Sequence, residues 1–222
     1  MWNPAFVACL TRLADYRGRA EPSLDSPSSD ASLRRIAVEL DLPVVDLFVL
    51  AGLPLPDDQS PVDRLAGKQV DDLVRITMRL DGPARSRLLT TARSVVECRQ
   101  VLEFAPIQYG PSPGAVIFAL LRARNLDHFT TAPVLKMMTG RYVASSVIGN
   151  IGLGRVRLTP EWLADLGAVL GMPAGLLSAM TGLEVAELPR PPEVTDAAEL
   201  IWAVRRFTVD QIRTLIEAAS LE

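Results

Sequence analysis

Apolar residues recur at three- and four-residue spacing, as in Leu163, Leu166 and Leu170 or Leu200, Ile201 and Val204. That period marks one face of an α-helix. No stretch alternates apolar and polar positions between turn residues with β-branched enrichment, so no strand is expected. In the first part of the chain the pattern predicts helices near Pro4–Tyr16, Ala31–Leu40, Pro43–Ala51, Pro61–Leu80, with Gly67 as a point where it could break, and Pro83–Glu103. In the second part it predicts Gly114–Asn125, Ala132–Thr139, Val143–Ile151, Pro160–Leu170, Pro173–Thr181, Asp196–Arg206 and Val209–Ser220. Proline begins several of them, where its missing N–H and fixed φ cost nothing. The expected fold class is all-α.

The pattern also repeats. Leu33, Leu40, Pro43, Leu47, Gly52 and Leu53 are matched 130 residues later by Leu163, Leu170, Pro173, Leu177, Gly182 and Leu183. Further on, Arg79, Leu88 and Ala92 are matched by Arg206, Leu215 and Ala219 at an offset of 127. Upstream, Phe6–Leu13 aligns with Val116–Ala123 at an offset of only 110, so the second copy carries 130 − 110 = 20 extra residues. Two diverged helical modules in tandem are expected. They span 1–104 and 114–222, joined by a Pro- and Gly-containing linker at 105–113 that cannot continue a helix.

The 222 residues suffice for two such modules. The longest uninterrupted apolar run, Ala115–Leu121, falls far short of the ~20 residues of a membrane helix. With no secretory signal pattern at the start, a cytoplasmic protein without membrane contact is expected. Cys9 and Cys98 form no CxxC motif and read as free thiols in a reducing compartment. His128 is the only histidine, so neither a metal site nor a histidine-dependent triad finds enough partners. No catalytic residue and no cofactor are expected.

Net charge is −3, which argues against coating nucleic acid by overall charge. Locally the balance reverses: between Arg122 and Arg157 lie Arg122, Arg124, Lys136, Arg141, Arg155 and Arg157 against Asp127 alone. The same segment holds the extra residues. It reads as a short helix, a turn at Gly140, and a second short helix running into Ile148, Ile151 and Gly154, followed by Arg155 and Arg157.

This order, together with Leu163, Leu166, Leu170 and Gly171 on the next helix, resembles lambda-repressor-like (xenobiotic-response-element-type) helix-turn-helix regulators. The family's patterns I-x-x-I-x-x-G-x-R and L-x-x-L-x-x-x-L-G are the parts matched, over roughly Gly114–Leu183. Here the turn is longer than usual, and Thr131-Ala132-Pro133 replace the glutamine that commonly opens the first helix. The resemblance implies that the second helix enters the major groove of double-stranded DNA. Ser145, Ser146 and Asn150 would contact bases, with Asn150 suited to an adenine edge. Lys136, Arg141, Arg155 and Arg157 would contact phosphates, which position without specifying sequence.

The first copy has no room for that helix pair. Because such regulators usually bind paired half-sites as symmetric dimers, a homodimer acting in transcription regulation is expected. A different class also fits: an interaction protein of the same fold that no longer binds DNA and holds a protein partner through the first module.

Overall fold

The computed structural model describes residues 2–24, 29–96 and 112–220, without the side chain of Arg64. Cys98, residues 97–103 of the fifth expected helix and most of the 105–113 linker lie outside these residues. All regular secondary structure among the described residues is helical, as the apolar spacing predicts. The first part holds α1 (Pro4–Arg17), α2 (Asp30–Leu40), α3 (Val44–Ala51), a 3-10 turn (Arg64–Ala66), α4 (Gly67–Thr77) and α5 (Gly82–Ser94). The second holds α6 (Pro113–Arg122), α7 (His128–Thr139), α8 (Ser145–Gly152), α9 (Pro160–Leu170), α10 (Ala174–Thr181), α11 (Pro192–Ala203) and α12 (Val209–Ala219). No single helix among them is long and apolar enough to cross a membrane.

Local chemistry sets the boundaries. Asn3, Ser29, Asp81 and Ser112 each accept a backbone N–H at the start of a helix, which satisfies a donor that the helix itself leaves unpaired. Pro43 and Pro173 occupy equivalent places before α3 and α10, and Gly52 and Gly182 close those helices with positive φ. The helix expected over Pro61–Leu80 divides at Gly67, where a break was expected: Asp63 caps the 3-10 turn Arg64–Ala66, and α4 begins at Gly67. Helix α11 begins at Pro192, four residues before the expected Asp196, since Pro191 and Pro192 supply its first turn instead of ending the preceding loop.

Helices from before and after the gap at 97–111 share one buried apolar cluster. α1 packs on α10, where the Cys9 Sγ points at the Met180 carbonyl (3.5 Å) and Arg12 Nε donates to the Ala179 carbonyl (2.8 Å). α3 packs on α6, α5 on α11, and α4 on α12 and α7. Arg85 of α5 donates to Asp196 of α11 at 2.6 Å, and Asp63 accepts the N–H of Val209 at 3.0 Å.

One ion pair lies at the centre of this arrangement. Arg124 donates in fork geometry to both carboxylate oxygens of Asp46 (2.9 and 3.0 Å) and also to the Leu120 carbonyl (3.0 Å). Its side chain is 3% exposed and that of Asp46 1%. The guanidinium stacks on Trp202 of α11 at 4.7 Å. Desolvating both charges is expensive, and the bidentate geometry offsets that cost only while both partners remain. Arg124→Ala should therefore cost about 3–5 kcal/mol, read from the urea midpoint at unchanged slope. The double variant Asp46→Leu/Arg124→Met should recover most of that loss, because no charge is then left stranded.

Cys9 shows the same sealing. Burial pushes its thiol up from the ordinary 9.0 to about 11, against a smaller lowering by Arg12. The unfolded chain therefore loses that proton first, so this contribution to stability is present below pH 9 and disappears as pH climbs toward 11. In a Cys98→Ser chain, a thiol reagent at pH 8 should label Cys9 only after unfolding; rapid labelling of the native protein would contradict the packing of α1 on α10.

Candidate nucleic-acid interface

Helix α7 begins four residues earlier than its apolar pattern suggests, at 128 rather than 132. Asp127 Oδ1 accepts the N–H groups of Phe129 and Thr130 (both 2.9 Å), and Thr130 Oγ1 accepts the Asp127 N–H (2.9 Å). This reciprocal capping box fixes the start. Pro133 lies inside the helix. The spacing Asp127-x-x-Thr130 was the signal for the earlier start. A carboxylate thus already occupies the positive end of α7.

Gly140, at φ 75°, ends α7, and the chain crosses to α8 through residues 140–144. Helix α8 starts at Ser145, two residues after the expected Val143, and Ala144 at its N-cap offers no side-chain acceptor. Ile148 and Ile151 are buried. Gly152 lies against the ring of Phe118, and a Cβ at Gly114 would come within 2.4 Å of the Ile151 carbonyl oxygen. Only the absence of a side chain at Gly114 lets α6 and α8 approach this closely.

The opposite edge of α8 is open. Ser146 is exposed, while Ser145 and Asn150 are half-buried. Gly149 is shielded on one side by His128, whose Cγ lies 3.6 Å from where a Cβ would stand. The Asn150 carbonyl accepts the N–H groups of both Arg155 (2.8 Å) and Val156 (3.1 Å), so the turn after α8 folds back beside Asn150. Arg155 and Arg157 are exposed and form no ion pair with a described residue.

The remaining two cations differ. Lys136 is exposed, with its ammonium 5.5 Å from the ring centre of Tyr142. Arg141 forms an ion pair with Asp165 of α9 and stacks on Trp162 at 5.0 Å. The turn after α8 thus brings Arg155 beside Asn150, with Arg157 two residues further along the chain, and Arg141 is held in a separate cluster. Arg124, counted with the basic segment in sequence, is buried against Asp46.

Comparison with known protein families, characterised proteins and solved structures gives no match. Function therefore has to be argued from the sites themselves. Among the described residues no cluster of three or more His, Cys, Asp or Glu is arranged to hold a metal ion. A cleft of about 750 Å³ opens between α5, α11 and the α9–α10 turn, bordered by Val95, Met172, Trp202 and Phe207. Four of its five charged groups are mutually paired, Arg124 with Asp46 and Arg93 with Glu199 (2.8 Å), while Arg205 lies over the Trp202 ring and donates to the Trp202 carbonyl (3.2 Å). Apolar side chains lie beside α8: Phe129 is 66% exposed and Leu153 56%.

The contact at Gly114 can be tested directly. Gly114→Ala drives a methyl group into backbone, so it should lower stability by about 1–3 kcal/mol and speed amide exchange in α8. Gly82→Ala meets nothing nearer than 3.9 Å and should change stability by less than about 0.5 kcal/mol.

Proposed function

We propose that this chain is a sequence-specific DNA-binding transcriptional regulator whose reading element is α8. The observation that carries the reading is the open edge of α8, where Ser145, Ser146 and Asn150 lie next to a turn that presents two unpaired arginines. Five consecutive helices, α6 to α10, with α8 packed on α6 and α7, support the likeness to a lambda-repressor-like domain. The first part of the chain is read as a diverged copy without the reader. In support, α2 and α3 span 30–40 and 44–51, and α9 and α10 span 160–170 and 174–181, so every boundary is displaced by 130 residues.

In this reading Asn150 bonds an adenine edge and the two serines contact neighbouring bases. Arg155, Arg157 and Lys136 supply phosphate contacts, whereas Arg141 must first leave Asp165 to join them. Binding strength then rests largely on two arginines and should fall steeply with salt. Fluorescence anisotropy on pooled duplex fragments should show the log affinity falling with log salt. Replacing both arginines with alanine should flatten that slope by about 1 per residue. An unchanged slope would remove Arg155 and Arg157 from the interface.

The second reading is an interaction protein that has lost DNA binding. It is favoured by exposed Phe129 and Leu153 beside α8, since apolar side chains there suit a protein surface better than a phosphate backbone. Absence of binding at low salt by a folded protein would select it.

A further inference from the structure

Packing between the two parts of the chain is reciprocal. With α1 corresponding to α6, α2–α3 to α9–α10, and α4–α5 to α11–α12, the contact of α1 with α10 has its counterpart in that of α6 with α3. The contact of α5 with α11 likewise has its counterpart in that of α12 with α4. An isologous interface between two subunits has this property: every contact occurs twice with the roles exchanged. Here both members of each pair belong to one chain.

The contacts are specific at both ends. On one side Arg12 donates to the Ala179 carbonyl, and a Cβ at Gly175 would reach within 2.5 Å of the Tyr16 ring. On the other the buried Arg124–Asp46 pair joins the end of α6 to α3. A charge pair this deep cannot be opened to admit another subunit without stranding both ions.

Reciprocity fails at one place. α11 lies on α9 of its own half, but α4 does not lie on α2; it packs against α7, the first helix of the reader pair. A Cβ at Gly67, the first residue of α4, would come within 2.7 Å of the Asn125 carbonyl and 3.3 Å of the Thr130 side chain. Asn125 also donates from its side chain to the Arg205 carbonyl at 2.9 Å. The segment that enters α7 is therefore held by α4 on one side and by the end of α11 on the other.

We infer that the first half stands in cis where a second subunit would stand and braces the reader through α4, so that a single chain is the working unit. The homodimer expected from the resemblance is then unnecessary. Resting on the DNA-binding reading above, the inference extends to the target. One chain with one reader takes a single asymmetric site and not two inverted half-sites about 10 bp apart.

Two measurements on the full chain test this separately. Sedimentation equilibrium from about 1 to about 100 µM should give the 24.1 kDa of one chain throughout; twice that mass would overturn the inference. Selection from a random-sequence duplex library should enrich one short non-palindromic motif, bound by one chain per duplex. An inverted repeat bound by two chains would overturn the inference even if the free protein is a monomer. A 24.1 kDa mass with no enriched motif would instead sink the DNA-binding reading and leave the one-chain unit standing.

Discussion

The ion pair between Arg124 and Asp46 constrains the rest of the molecule because it sets three elements at once: α3 through the carboxylate, the end of α6 through the guanidinium bond to the Leu120 carbonyl, and α11 through Trp202. A planar guanidinium engaged at both ends tolerates little displacement, so α6 enters the second half at a fixed position relative to the first. From α6 the order of dependence runs outward. Gly114 and Phe118 seat α8, α8 ends at the turn carrying Arg155, and α7 closes over both with α4 behind it.

Charge near the reader is shaped by elements that a window on the sequence cannot see. Counted linearly, Arg122–Arg157 is strongly basic. In three dimensions Asp46 removes Arg124 from that total and Asp165 holds Arg141, leaving Lys136, Arg155 and Arg157 as the exposed cations of the proposed interface. Glu161 adds negative charge close by, its carboxyl held below the ordinary range by a hydrogen bond from Thr159. The field is thus narrow, carried by Lys136 on α7 and by Arg155 and Arg157 just after α8.

Most of the helices were legible from the chain because their signals are local: apolar spacing, N-terminal prolines, and glycines where φ is positive. Boundaries failed where two local signals competed. Apolar spacing suggested a start at Ala132, yet the capping box at Asp127 sets it at His128, and the helix carries Pro133 in its interior. Ser145, Ser146 and Asn150 were placed correctly on one helix by the same periodicity. What the sequence did not reveal was the partner of each charge. Asp46 is the one ionisable residue of the apolar helix VVDLFVLA, a signal that the sequence reading passed over, and nothing local points to Arg124, 78 positions away.

Packing of α1 against α10 also bears on how the chain reaches this state. Cys9 and Met180 touch across 171 positions, so the apolar face formed by Phe6, Leu10 and Leu13 has no complete partner until α10 has been made. During synthesis that face waits exposed while α2 and α3 form locally. Long-range closure of this kind slows folding and leaves sticky intermediates. Helix α1 therefore acts as a late clasp: it leaves the ribosome well before α10 and is among the last elements to find its place.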